Sequence, residues 1–361
     1  MKEFNGFANN GKPEDFKGIG TKCPSDGGSF HLFWFIFLKD RQRLVVISCF
    51  MEIREQARKL DMHLVKDNIS KTHLIEPDAC SGREVFLLTV VFSNPENKSR
   101  RERIRQTWGN VTAFKGRAVI KVFALGRPVS ENTQSELEEE AQNHQDIVEG
   151  SFIDSYQNET LKMTMMIEWV VTFCPNARFI LKTEENMFVN IKSLADHLLG
   201  LETQSEDLYL GRVIHQGIPT RDPQSPNFVP LTSYSETYYP DYCSGAAMVL
   251  SQDVTRKVYL VSDQVSTLLP SDVFVGICAQ RAGVLSIHSA RFSGSRHVSY
   301  NRCCYKFIFS SSGNQWDESN KGLVLSNVTE ISTQGGYLCR TAHCHYPDPN
   351  QPIQLPEFLL G

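Results

Sequence analysis

The stretch Arg178-Phe-Ile-Leu-Lys-Thr-Glu-Glu-Asn-Met-Phe-Val-Asn190 decides how the chain is read. An apolar run, Phe179 to Leu181, ends abruptly in polar residues, with Glu184, Glu185 and Asn186 behind it. The pattern predicts a buried strand with an acidic carboxyl end, followed by a helix over 191–199. Ligands of open α/β sheets bind outside the carboxyl ends of strands. Carboxylate oxygens there suit a hard divalent cation that holds a phosphate-bearing substrate. A solvated acidic loop has the same composition, and the stretch alone does not separate the two readings.

The segments around it are of the same kind. Residues 84–92 form a continuous apolar, β-branched run, as expected for a strand buried on both faces. The turn Ser93-Asn-Pro-Glu-Asn97 follows, then helical character over 100–108, with Ile104 and Trp108 four apart on one face. Trp108 reads as core packing, with stacking on a base as the other option. A second strand is predicted over 118–125 and a Glu-rich helix over 135–144, its charges marking a solvated face. A longer helix over 158–173 carries an apolar stripe through Leu161, Met165, Ile167 and Trp169. Downstream come a strand over 208–213, a Pro- and Tyr-rich loop over 216–241, and a helix over 252–261. Strands alternating with helices argue for an α/β domain with a largely parallel sheet. No internal repeat is visible.

Composition narrows the class. The 361 residues are enough for one large domain or two ordinary ones, and the net charge of −4 carries no nucleic-acid footprint. The ten cysteines include no C-x-x-C pair, so a zinc ribbon is excluded, and scattered structural disulfides in an oxidising lumen are expected. The sequence does not fix the connectivity; Cys80 with Cys174, and Cys278 with Cys303 or Cys304, are the candidate pairings. Sequons at Asn68, Asn97, Asn110, Asn158 and Asn327 point to the same compartment; about two would arise by chance. The first 28 residues read as a disordered tail. Residues 29–51 hold two apolar runs split by Lys39-Asp-Arg-Gln-Arg43, each shorter than the roughly 20 residues of a membrane span. Residues 44–51 suit either a signal-peptide core or a buried strand. Residues 52–79 read as a stem and 316–361 as a divergent tail, Pro-rich and unstructured over 347–356.

Four blocks stand in order: Arg101-Glu-Arg-Ile-Arg-Gln-Thr-Trp-Gly109, Lys182-Thr-Glu-Glu-Asn-Met-Phe-Val-Asn190, Tyr239-Pro-Asp-Tyr-Cys-Ser-Gly245 and Asp272-Val-Phe-Val-Gly-Ile-Cys278. A smaller one, Phe152-Ile-Asp-Ser-Tyr-Gln-Asn-Glu-Thr-Leu-Lys162, lies between them. Together they resemble the β-1,3-galactosyltransferase and β-1,3-N-acetylglucosaminyltransferase family, glycosyltransferase family 31, over roughly residues 80–310. The resemblance implies a GT-A-like nucleotide-sugar-binding fold over 80–315, with a mostly parallel central sheet flanked by helices. It implies a type II Golgi membrane protein with a cytosolic tail over 1–28, a degenerate signal anchor over 29–51 and a lumenal catalytic domain. The implied reaction is inverting transfer of galactose or N-acetylglucosamine from UDP-galactose or UDP-N-acetylglucosamine. The sugar goes to the 3-hydroxyl of an acceptor glycan on protein or lipid, with Mn²⁺ as cofactor. A catalytically silent member that binds a lumenal glycan or partner is the alternative.

Such a displacement needs a base, charge neutralisation on the departing diphosphate and tight positioning. By resemblance Asp272 is the base; its place after Pro270 at a helix start also suits an N-cap. Ser271 stands where the family usually has Glu. Arg101 and Arg105, four apart on one helix face, are candidates for the diphosphate, or for pairing with Glu102 or the Glu-rich helix. Lys182 and Gly245 are assigned to donor binding, Gly245 because a missing side chain lets the backbone come close. Glu184, Glu185 and Asn186 take the metal position, where the family has a run of aspartates; Asn186 offers a neutral oxygen only. Ser312 stands at a family histidine position, with His288 and His297 as substitutes, either of which also suits a structural hydrogen bond.

Overall fold

The computed structural model of the protein describes residues 40–59, 73–298, 302–313, 344–345 and 352–353. The chain divides into two compact units, Met1–Glu52 and Ile53–Gly361. Everything below concerns the second unit, apart from helix α1 (Asp40–Lys59), which begins in the first. The strands are β1 (His73–Ile75), β2 (Val85–Phe92), β3 (Ala113–Phe114), β4 (Arg117–Arg127), β5 (Ile147–Ile153), β6 (Ala177–Glu184), β7 (Met187–Val189), β8 (Tyr209–Ile214), β9 (Tyr242–Ser251), β10 (Ser286–His288) and β11 (Ser310–Ser312). The helices after α1 are α2 (Lys98–Gln106), α3 (Glu131–His144), α4 (Glu159–Phe173), α5 (Ile191–Gly200), α6 (Gln252–Ser262), α7 (Ser271–Arg281) and α8 (Arg302–Phe307).

Strand β2 is buried at all eight positions because it lies in the middle of the sheet, parallel to β4 on one side and β6 on the other. The order is β1-β5-β4-β2-β6-β9-β8-β10, with β3 against β4. Strands β2, β4, β5, β6, β8 and β10 run one way, and β1, β3 and β9 run against them. The sheet is therefore mixed, with most strands parallel, and helices flank it. From β2 the chain moves to β4 and β5, then returns through α4 to β6 on the far side of β2. The reversal places a crevice at the carboxyl ends of β2 and β6. Because β9 is antiparallel to β6, with Thr183 opposite Ala247, the start of β9 arrives at the same crevice.

Helices α2, α3 and α5 share one apolar cluster with the sheet, through Ile104, Leu137, Ala141, Leu194 and Leu198; Trp108 lies in it, as core packing requires. Helices α4, α6 and α7 pack together elsewhere. The predicted stripe on α4 is too narrow: Met163, Met166, Val170 and Val171 are buried as well. A helix covered on nearly every side has no need of a polar face. Strand β5 was not predicted, since Glu149 and Gly150 interrupt its apolar run; the Glu149 carboxylate is fully buried against Gln134.

The cysteines divide between confirmation and correction. Cys80 and Cys174 form a disulfide, with Cα atoms 5.2 Å apart. Cys278 forms none: it is a free, buried thiol inside α7, so its expected pairing with Cys303 or Cys304 is wrong. Residues 44–51, expected as a signal core or a strand, are helical within α1. Among the described residues no helix is long and apolar enough to cross a membrane. Residues 1–39, 60–72 and most of 316–361 lie outside the described residues, as do the sequons at Asn68 and Asn327. Within 347–356, expected without regular structure, Pro352–Ile353 pairs with Cys344–His345.

Candidate active site

At the carboxyl end of β6 the three residues of the acidic turn face different ways. Glu185 points at the turn after β2, where Ser93 Oγ donates to it at 2.6 Å, and Asn94 N–H at 3.3 Å. Asn97 Nδ2 donates to its other oxygen, and Arg100 Nη1 lies 3.6 Å away. Both Glu185 oxygens thus accept hydrogen bonds from the chain itself, which ties the acidic turn to the turn after β2. Glu184 is about one-third exposed, its Oε1 3.7 Å from Lys182 Nζ. Asn186 Oδ1 is buried without a hydrogen-bond partner.

Lys182 also differs from expectation. It sits on β6 with no exposed surface, under the Phe92 ring at 4.4 Å, and donates to the Gly245 carbonyl. It cannot reach a solvent-borne donor; it anchors the start of β9. Gly245 in turn donates its N–H to Asp272 Oδ2 at 2.9 Å. A Cβ on Gly245 would meet Asp272 Oδ2 at 3.3 Å, so the glycine permits the approach of the carboxylate. Asp272 opens α7, and its other oxygen accepts from its own helix at Val273 N–H, 2.9 Å away. Burial pushes the Asp272 carboxyl above the ordinary carboxylate range. The two N–H donors and the Lys182 charge pull it down, and Glu159 pushes it further up.

Arg101 and Arg105 do face one side of α2, but that side faces α3. Arg101 is buried and bidentate to Glu140, at 2.9 and 2.7 Å, and its remaining donors go to Ser93 Oγ and the carbonyls of Asn94 and Pro95. Arg105 pairs with Glu140 and Asp146, both at 2.8 Å. Of the two expected partners, the Glu-rich helix is the one this geometry gives, in an ion-pair network that fixes the turn after β2. His288 Nδ1 accepts from Val213 N–H, a structural bond. His297 instead bonds the Ser312 carbonyl at 2.6 Å, on the strand that pairs with β7 beside the acidic turn.

The galactosyltransferase family profile matches residues 99–290, which is more than half of the chain and takes in α2, the acidic turn and Asp272. The chain belongs to the galactosyltransferase family. It is 54% identical over 263 residues to human beta-1,3-galactosyltransferase 9, covering 73% of this chain and 71% of that one. It is 39% identical over 264 residues to the Xenopus laevis lactosylceramide 1,3-N-acetyl-beta-D-glucosaminyltransferase B, covering 70% of each. Among solved structures, a mannosyltransferase from Pyrobaculum calidifontis aligns at TM-score 0.32 and 10% identity, over 68% of this chain and 66% of that one.

This galactosyltransferase-family member is a glycosyltransferase, and its donor set can be tested for a cation. Among the described residues no group of three or more His, Cys, Asp or Glu is arranged to hold a metal. The Glu184 carboxylate and the Asn186 Oδ1, buried without a partner, are the remaining oxygen donors of the acidic turn and the candidates for a divalent ion that takes the rest of its oxygen shell from phosphate and water. Sequence reasoning missed Ser93 and Asn97, which hold Glu185, and Lys162, whose Nζ donates to the Ser93 carbonyl at 2.8 Å. It also missed Glu159, whose Oε1 accepts from Ser271 Oγ at 2.9 Å. Glu159 and Lys162 lie in the block 152–162 read from the sequence, but nothing there places them at this crevice.

Proposed function

We propose that the enzyme transfers galactose or N-acetylglucosamine from its UDP-sugar to the 3-hydroxyl of an acceptor glycan, with inversion, in the Golgi lumen. The reading is supported by the names of the relatives, and above all by one arrangement: a single carboxylate, Asp272, pinned by Gly245 N–H at the crevice and raised in basicity by burial. In this reading Asp272 takes the proton of the acceptor hydroxyl as that oxygen attacks the anomeric carbon from the face opposite the diphosphate. Lys182 holds Gly245, and Gly245 holds the base. Glu184 and Asn186 would hold Mn²⁺, which when bound supplies charge neutralisation at the diphosphate.

The test is UDP-sugar turnover by the full chain with UDP-galactose and UDP-N-acetylglucosamine. Lactosylceramide, the acceptor in several relatives' names, is the first to try. Asp272→Asn is expected to lower turnover by at least about 10²-fold, the contribution of a positioned base. An unchanged rate removes Asp272 from the reaction. UDP binding measured with and without Mn²⁺ tests the ion, and no UDP binding in either condition leaves the catalytically silent reading.

A further inference from the structure

A charge has to be balanced at Lys182. Its ammonium has no exposed surface, and a buried charge is stable only when paired. Its hydrogen bond goes to a neutral carbonyl, that of Gly245. Among the described residues two carboxylates reach it, Glu184 Oε1 at 3.7 Å and Glu159 Oε1 at 3.8 Å. Glu184 is also about one-third exposed at the carboxyl end of β6. When it turns to a donor complex, Glu159 is the carboxylate that remains within 4 Å of the lysine, with Asp272 acting on the ammonium from farther away.

Glu159 has a second attachment. The oxygen that lies near Lys182 accepts the Ser271 hydroxyl hydrogen bond at 2.9 Å. Ser271 is the first residue of α7, and Pro270 before it gives that helix no side-chain cap. One carboxylate therefore joins three elements: α4, on which it sits, β6 through Lys182, and the first turn of α7, which carries Asp272. We propose that Glu159 is a positioning residue for the transfer reaction: the standing counter-ion of Lys182, which leaves Glu184 to the donor, and the brace that sets Asp272 against Gly245. This rests on the glycosyl-transfer reading of the site. A purely structural role is also available to Glu159, since an acidic residue in the first turn of α4 favours that helix. That role would alter melting temperature and leave the kinetics of the folded enzyme alone.

The experiment compares Glu159→Gln with the full-length wild type, using whichever of UDP-galactose and UDP-N-acetylglucosamine the wild type consumes. Glu159→Gln keeps size and shape and removes the charge. The expected result is a fall in kcat of about tenfold or more, the scale of a misplaced reacting group, with a higher donor KM. Adding Ser271→Glu to Glu159→Gln returns a carboxylate from one hydrogen bond away and is expected to bring kcat back to within about threefold of wild type. Unchanged kcat and KM in Glu159→Gln, or no recovery on adding Ser271→Glu, overturns the proposal. Should Glu159→Gln fail to fold, Ser271→Ala breaks the brace without touching the buried charge; a kcat equal to wild type then overturns it. A wild type that consumes neither donor overturns the glycosyl-transfer reading itself, and this inference with it.

Discussion

At the scale of single residues the site turns on one approach, Asp272 to Gly245. A methyl group on residue 245 would press on Asp272 Cβ and Oδ2, both 3.3 Å away. Gly245→Ala is expected to fold and to lose about tenfold in kcat, because the carboxylate must shift by tenths of an ångström. Kinetics alongside a thermal melt checks both halves. The ionisation of Asp272 has a sign that can be worked out. Its folded pKa is raised, chiefly by burial. A base acts when ionised, so kcat/KM falls as pH drops through that raised value, above the ordinary Asp value of about 3.9. For stability the sign is opposite. A carboxyl with a raised folded pKa contributes stability below its unfolded pKa, and that contribution is lost as pH rises through the folded one. At neutral pH the ionisation of Asp272 therefore costs stability, and the two N–H groups that donate to its oxygens offset part of that cost.

At the scale of elements, α2 and α3 are joined by the two arginines that the sequence left between the diphosphate and the Glu-rich helix. The spacing of Arg101 and Arg105 gave their shared face correctly; which of the two partners that face meets depends on where α3 packs, and no local pattern carries that. Both side chains of the Arg101–Glu140 pair are 1% exposed. Breaking such a pair leaves a buried guanidinium uncompensated, at about 3–5 kcal/mol. Glu140→Gln is expected to lose roughly 3 kcal/mol in a urea titration at neutral pH. Burial works to raise the pKa values of Glu140 and Asp146, yet the hydrogen bonds and charges of Arg101, Arg105 and Lys121 hold both below the ordinary range. Their contribution is present above the unfolded carboxyl values and is lost as pH falls through the folded ones. The difference between wild type and Glu140→Gln should therefore narrow in acid, and a difference independent of pH would refute the pairing.

At the scale of the whole molecule, what was legible followed from burial on both faces. Interior strands bury both faces, so the apolar runs of β2 and of Phe179–Leu181 in β6 stand out in the sequence. Strand order leaves no such trace, and neither does a contact between residues 112 positions apart, as between Glu159 and Ser271. The Cys80–Cys174 disulfide shows how the sheet separates stability from chemistry. It ties the approach to β2 to the approach to β6 across 94 residues of sequence, where Val85 pairs with Ala177. The acidic turn lies at the other end of β6, an eight-residue strand about 25 Å long. Closing a loop of this size restricts the unfolded chain by about 4.7 kcal/mol. Replacing both cysteines by alanine is expected to remove about that much stability in denaturant titration. Turnover at 25 °C should stay within about twofold of wild type, since the two sites share no partner. A folded double variant that loses activity would show that the amino ends of β2 and β6 set the geometry of the crevice, and that the sheet is less rigid along its strands than its burial requires.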